Sequence, residues 1–452
     1  MNGLNKLYMS KKSRDYLLIV FGILFIVITI ITSLYASGYK FNLSWPIKWN
    51  RLLQKTGMLA VDTIPTKATV YLNDKPQNDL SLNPWKKDYI VTPAKIKNIL
   101  PGEYELRFEV EGYWSYKQRI NIYSGETTFV EDVNLFKENS PLLILATSES
   151  QLKISLDNKY IYLPEAKKII SLKNDSARDL KLSENNSHNL WLKNNKLFAN
   201  GIIFDPQREN GDINYASIIG SGANNWTIEN SGSYLYYQNN NSINQLNSNN
   251  KTSSLIISGE KYLDYTIHND KIFTVSTNNK QIKLNAYSLN GSSLDDNWTL
   301  PNSGDYRFVD RIGNYLSIYD KQNKTLYLFD DTKLNSGPIS IRNINNWVIY
   351  NDQTLIYTND FEMYFFNLSN NRSDLITRRS EKINDIVLNS EGNYLIFSGE
   401  KTLNVFDFKN RNTTLLLNAE KINSPVLDVK NKNLYFWGNI NSSEGIYKIL
   451  MQ

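Results

Sequence analysis

One uninterrupted apolar run, Tyr16–Ala36 (YLLIVFGILFIVITIITSLYA), constrains this chain more than any other stretch. Its 21 residues carry no charge. At about 1.5 Å per residue a helix of this length spans roughly 31 Å, the thickness of a bilayer's hydrocarbon core. Lipid offers no hydrogen-bond partners, so a backbone crossing it must close its own bonds as a helix. A single transmembrane helix is therefore expected. The competing reading is a secretory signal cleaved near Ala36-Ser37-Gly38, but signal cores run to only about 7–15 residues. Lys6, Lys11, Lys12 and Arg14 crowd the front of the run, while Lys40, Lys48, Arg51 and Lys55 follow at a greater distance. The positive-inside tendency then puts the N-terminus in the cytoplasm and the remainder outside.

After the helix, Phe41, Trp45 and Trp49 recur every four residues and Leu52 and Leu53 continue the stripe. Two readings stay open: an interfacial aromatic face on a helix, or a linker whose tryptophans pack on the next domain. From Gly57 the pattern changes to strict alternation, first in MLAVDTIP and then in ATVYLND, the period of half-buried strands. Turns at Pro101-Gly102, Glu111-Gly112 and Ser124-Gly125 separate further alternating runs. Five or six strands in about 80 residues make a small β-sandwich.

This segment resembles the PEGA domain family. The matching residues are Val61, Thr63, Pro65, Ala68, Val70, Tyr71, Leu72, Asn73, Thr92-Pro93, Leu100, Pro101-Gly102, Tyr104, Leu106, Glu111-Gly112-Tyr113, Gly125 and Leu135. Two departures stand out: Lys67 occupies the position where the family carries Gly, and Pro76–Ile90 inserts an extra loop with Trp85. The resemblance implies a non-catalytic sandwich on prokaryotic surface proteins, and it carries over no ligand site.

Beyond Ser140-Pro141 short strands recur without any helical pattern. Aligned on one β-position they give Ile161, Leu197, Leu235, Ile272, Leu316, Leu355, Leu395 and Leu434, with gaps of 36, 38, 37, 44, 39, 40 and 39 residues. Three residues before each stands Asn158, Asn194, Gly232, Asn269, Gly313, Asp352, Gly392 or Asn431, all residue types that tolerate the left-handed conformation of tight hairpins. The clearest unit, 382–417, reads as four strands, the content of one β-propeller blade. Third strands such as TLYLFDD (325–331) end as those of WD-repeat propellers do, but that family's Gly-His pair is missing. The similarity is thus to WD-repeat-like or TolB-like architecture, with no propeller family assigned. The last unit lacks a fourth strand, and Leu142–Ala146 is a spare one; pairing them would close the ring.

Chemistry is sparse. With no Cys and only His188 and His268, thiolate catalysis, Cys-based metal sites and a Ser-His-Asp triad have little to work with. Gly399-Glu400-Lys401-Thr402 looks like the end of a phosphate loop, yet it falls between strands and reads as a hairpin. Asp264, Asp310, Asp385 and Asp428 lie in the expected innermost strands and are the only basis for a glycosidase-like pair; solvation of the axis is the plainer reading. Trp226, Trp347 and Trp437 suit sugar stacking, but packing is the expectation. The Arg378-Arg379 pair reads as a solvated edge, and both histidines as surface residues.

A net charge of +5, from 50 basic and 45 acidic residues, is too dilute for a nucleic-acid partner. The expectation is a mainly β chain: basic tail 1–15, transmembrane helix 16–36, juxtamembrane linker 37–56, PEGA-like sandwich 57–137 and propeller 138–452. Eight blades are favoured, with seven if the weak units near 161–204 merge. No catalytic, cofactor-binding or metal-ligating residue is expected. The partners foreseen are the lipid bilayer through Tyr16–Ala36 and an envelope polysaccharide, peptidoglycan or protein bound by the propeller. The rival function is an anchored propeller hydrolase acting on glycans or peptides.

Overall fold

The computed structural model describes residues 11–41, 45, 52–78, 88–182, 189–192, 194–208, 211–220, 222–229 and 232–452. The chain divides into two compact units, Met1–Glu138 and Asn139–Gln452.

In the first unit the apolar run forms one helix, Lys11–Ala36, starting five residues before the run itself and burying none of its side chains. It is long and apolar enough to cross a membrane. Both threonine hydroxyls inside the run are satisfied within the helix: Thr29 Oγ1 donates to the Phe25 carbonyl and Thr32 Oγ1 to that of Ile28, both at 2.8 Å. Such back-bonding lets threonine sit in an apolar setting without an unpaired donor. Gly38, at φ +80°, ends the helix in a left-handed turn. The aromatic stripe that follows is not continuous helix. Tyr39–Phe41 pairs antiparallel with Leu53–Lys55, and Trp49 lies outside the described residues.

The described residues between 57 and 134 build two packed sheets. One has the order Ala94–Ile99, Gly57–Ile64, Thr127–Asn134, and the other Lys75–Pro76, Thr69–Leu72, Gly102–Glu109, Tyr116–Ile122. The residues quoted for the PEGA resemblance form its core: Val61, Ala68, Val70, Leu72, Leu106 and Leu135 are all buried. Its polar members stitch the loops. Thr63 and Thr92, almost fully buried, bond to each other at 2.6 Å, and Thr92 Oγ1 accepts from the Ala68 amide at 3.0 Å. Lys67 takes φ +70°, the backbone reason for the family's Gly there. Trp85 lies outside the described residues.

In the second unit eight four-stranded antiparallel sheets follow one another among the described residues, at 153–179, 189–214, 223–258, 261–300, 306–342, 346–378, 385–418 and 421–450. They are numbered here from first to eighth. Each packs on the next, and the eighth packs on the first: Val426, Tyr435 and Trp437 share a core with Ile161, Leu163 and Ile170. The ring closes through chain-end pairing, since Leu142–Ala146 pairs antiparallel with Ser443–Leu450 as the fourth strand of the eighth sheet. This circular array is a β-propeller. The units at 153–179 and 189–214 each keep their own four strands.

The eight aligned positions, Ile161 through Leu434, all fall in the second strand of their sheets and are at most 2% exposed. Burying an aliphatic side chain is worth about 1.5–3 kcal/mol, so this row is the repeating source of stability around the ring. Asn158, Gly232, Asn269, Gly313, Gly392 and Asn431 adopt the left-handed conformation expected of them. In the second sheet Asn195 takes it in place of Asn194. Asp352 does not; in its turn the Asn351 side chain accepts from the Gln353 amide at 3.0 Å.

Candidate functional site

The four axial aspartates have three fates. Asp264 is fully buried, accepting from the Tyr265 amide at 2.9 Å and, across to the fifth sheet, from the Phe308 amide at 2.8 Å. Asp385 does the same from the seventh sheet to the eighth, accepting from the Ser424 amide at 2.8 Å. Asp428 folds onto its own hairpin, accepting from the Lys432 and Asn433 amides at 2.8 and 3.2 Å. Ser155 and Asn389, six residues before their aligned positions as Asp428 is, cap the same two amides of their own turns. Asp310 alone stays exposed, and its charge reaches Lys153 across the ring. Burial pushes the Lys153 ammonium below its ordinary range, and Asp310 and Glu149 pull it back.

The other expected residues also find places. Trp226 and Trp437 are buried at 1% and 3% exposure, and Trp347 packs half-buried at 5.1 Å from the Tyr319 ring, so all three serve packing. Gly399–Thr402 is a hairpin, with the Gly399 amide donating to the Thr402 carbonyl at 2.8 Å. Arg378 is an exposed edge residue paired with Glu362, while Arg379 lies over the Phe397 ring at 5.4 Å. His268 departs from expectation. It is not a free surface side chain but is 18% exposed, 3.2 Å from the nearly buried Asp331 carboxylate and against Arg311. Burial and the Arg311 charge both push its pKa down, against the pull of Asp331. His188 lies outside the described residues. Among the described residues no three Asp, Glu or His side chains gather to hold a metal ion.

Carboxylates and cations converge in a cleft of about 640 Å³ on the face carrying the inter-sheet loops of the fifth to eighth sheets. Its walls come from a tetrapeptide written twice, Glu381-Lys382-Ile383-Asn384 and Glu420-Lys421-Ile422-Asn423, 39 residues apart. Each residue has its own task. Glu381 accepts from the Lys401 amide at 3.0 Å and the Thr402 hydroxyl at 2.6 Å, holding the hairpin beside the cleft. Glu420 accepts equivalently from the Ser442 amide at 3.3 Å. Ile383 and Ile422, at 1% and 0% exposure, anchor the segment. The lysines and asparagines line the cleft.

A third unit contributes Ile344-Asn345 at the same spacing, so Asn345, Asn384 and Asn423 line the cleft from three consecutive sheets. Lys324 and Lys382 flank Asp360 at 3.4 and 3.6 Å. The Asn345 amide, helped by these charges, holds the Asp360 carboxyl below its usual range. Lys421 stands 5.5 Å from the Trp437 ring. Asp385 lies among them, and burial raises its carboxyl above the ordinary range while the Ser424 amide opposes the shift. The repeated Glu-Lys-Ile-Asn is the signal in the sequence for this site, and it lies outside the hydrophobic position on which the repeat aligns.

In the sandwich, Tyr104 Oη donates to the Leu100 carbonyl at 2.8 Å, bridging the Pro101-Gly102 turn at the spacing on which the family resemblance rests. Residues 86–137 match the PEGA domain. The PEGA match thus covers the second half of the sandwich, including the turns at Gly102, Gly112 and Gly125. No curated protein sequence matches the chain. Among solved structures, oligogalacturonate lyase from Vibrio parahaemolyticus is similar at 8% identity, covering 68% of this chain and 92% of that one with a TM-score of 0.38. A chain of the mitotic checkpoint complex is similar at 9% identity over 70% of this chain and 93% of that one, TM-score 0.39. Kluyveromyces lactis Hsv2 is similar at 14% identity over 47% and 70%, TM-score 0.32. The propeller assignment rests on the sheet order and ring closure of this chain itself.

Proposed function

We propose that this chain is a membrane-anchored binding protein whose propeller cleft holds a polar polymer of the cell envelope, a polysaccharide or the glycan of peptidoglycan. The helix Lys11–Ala36 is the anchor, with the basic N-terminal tail in the cytoplasm and both β-units outside, in keeping with the charge crowded before the helix. One observation carries the binding role. Equivalent positions of consecutive sheets, Asn345, Asn384 and Asn423 with Lys382 and Lys421, line a single cleft. A row of identical amide and ammonium groups suits a ligand that repeats its own hydroxyl, amide or carboxylate groups.

A hydrolase acting on such a polymer is the second reading, and Asp385 is the reason to keep it. A carboxyl raised by burial within a cleft is what a general acid requires, and Glu400 and Glu420 line the same cavity.

The test uses the full chain in nanodiscs, mixed with sacculi or purified envelope polysaccharide and sedimented. Retention that falls in the Lys382→Ala/Lys421→Ala double variant, with no release of reducing ends, supports the binding role. Release of reducing ends that disappears in Asp385→Asn assigns the hydrolase. Retention unaffected by the lysines removes the cleft from the account.

A further inference from the structure

The described ends of the segment after the helix are tied to their neighbours. Thr56, at the base of the sandwich, returns to the helix end, where its amide and its hydroxyl both donate to the Gly38 carbonyl at 2.7 Å. The Ser124 hydroxyl and the Gly125 amide then tie the same strand end to the sandwich, donating to the Lys55 and Thr56 carbonyls at 3.1 and 3.0 Å. The sandwich therefore begins where the helix stops, and the ribbon of Tyr39–Phe41 and Leu53–Lys55 lies at that junction.

The ribbon has two unlike faces. Its register sets Tyr39 opposite Lys55, Lys40 opposite Gln54 and Phe41 opposite Leu53. Side chains alternate along a strand, so Tyr39, Phe41, Leu53 and Lys55 share one face and Lys40 and Gln54 the other. On the first face Tyr39, Phe41 and Leu53 are 36, 47 and 40% exposed, and the nearby Trp45 is 88% exposed. Phe41 follows Ala36 by five residues, so it cannot lie more than about 18 Å from the helix end. The headgroup layer on each side of the hydrocarbon is roughly 5–8 Å thick. Aromatic rings with a lysine beside them are the side chains that this layer favours.

We infer that the ribbon is a second lipid contact, its Tyr39–Phe41–Leu53 face lying in the headgroup layer. With two contacts, one across the bilayer and one along its surface, the sandwich is held at a fixed tilt. This inference rests on the reading that the helix spans the membrane.

The absence of cysteine makes every introduced thiol unique, so nitroxide labels can report depth in the full chain. Ile28→Cys, Leu53→Cys and Gln54→Cys are labelled separately in phosphatidylcholine–phosphatidylglycerol nanodiscs. Collisions with dissolved oxygen and with a water-soluble nickel chelate are then measured. The expected pattern is nickel exclusion at Ile28, a nickel collision rate at Leu53 several-fold below that at Gln54, and higher oxygen collision at Leu53. Equal nickel rates at Leu53 and Gln54 with Ile28 protected would overturn the lipid contact and leave the anchor standing. So would protection of Leu53 from both reagents, which marks burial against protein. A nickel-accessible Ile28 would remove the anchor itself.

Discussion

Asp264 Oδ2 accepts from the backbone N–H of Phe308 at 2.8 Å, joining the innermost strands of two neighbouring sheets across 44 residues of sequence. The two residues occupy equivalent positions, eight before Ile272 and Leu316. Asp385 and Ser424 repeat the arrangement, each ten before Leu395 and Leu434. At these two junctions a carboxylate thus reaches one sheet ahead, between strands that belong to separate sheets.

Replacing Asp264 by Ala strips a bond partner from two amides beside a fully buried site. A buried donor left unpaired costs about 1–3 kcal/mol, so the variant is expected to lose roughly 2–6 kcal/mol. Asp264→Asn keeps one acceptor and loses less. Urea unfolding of the full chain in detergent measures both; equal stability of Asp264→Ala and the parent would show that the inner ring does not depend on this contact.

Ring closure is exposed to a single methyl group. A Cβ on Gly445 would stand 2.4 Å from the Leu145 carbonyl oxygen of the closing strand. Gly445→Ala is therefore expected to push Leu142–Ala146 off the eighth sheet and to cost about 1–3 kcal/mol. Hydrogen exchange at the amides of 142–146 and 443–450 should rise together in this variant.

Glu149 gives stability a pH dependence. One of its oxygens accepts from the Ala166 amide at 2.6 Å, while the other is buried without a partner. Burial raises its carboxyl above the usual 4.5, against the Ala166 bond. The folded state accordingly holds this proton more tightly than the unfolded chain. The resulting stabilisation is complete below the ordinary carboxyl range and is lost as pH climbs through the raised native value. Glu149→Gln preserves an acceptor for Ala166 and carries no charge. It should raise the melting temperature at pH 7 and flatten the slope between pH 4 and 7, as read by scanning calorimetry.

Lys67 holds a left-handed backbone in the sandwich. Lys67→Gly, which restores the family's residue, relieves the Cβ clash at a cost in unfolded-state entropy, for a net gain of up to about 1 kcal/mol. A lower unfolding midpoint for the glycine variant would refute this account of the strain.

Much of the scaffold was legible beforehand. The helix follows from one apolar run, and six of the eight second strands of the ring from an aliphatic residue three positions after a left-handed residue. Closure by Leu142–Ala146 could be read from simple accounting, because one strand was spare and one unit lacked it. The ribbon after the helix was not legible: Phe41, Trp45 and Trp49 fit a helical period by spacing alone, whereas the pairing of Phe41 with Leu53 depends on Thr56 returning to Gly38. The cleft was half-legible, since its repeated Glu-Lys-Ile-Asn stands in the open but its meaning lies in the neighbouring sheet.

By itself, then, the sequence determined where the chain is apolar enough to enter lipid, where it alternates and where it turns, because those properties are set by residues a few positions apart. The use of each charged side chain was decided only in three dimensions. Asp264, Asp428 and Asp385 look alike in their strands, yet Asp264 is sealed under a neighbouring sheet's amide, Asp428 caps its own hairpin, and Asp385 takes a neighbouring amide while also facing a cleft. The difference arises from partners as far as 44 residues away, and only the closing of the ring brings them within reach.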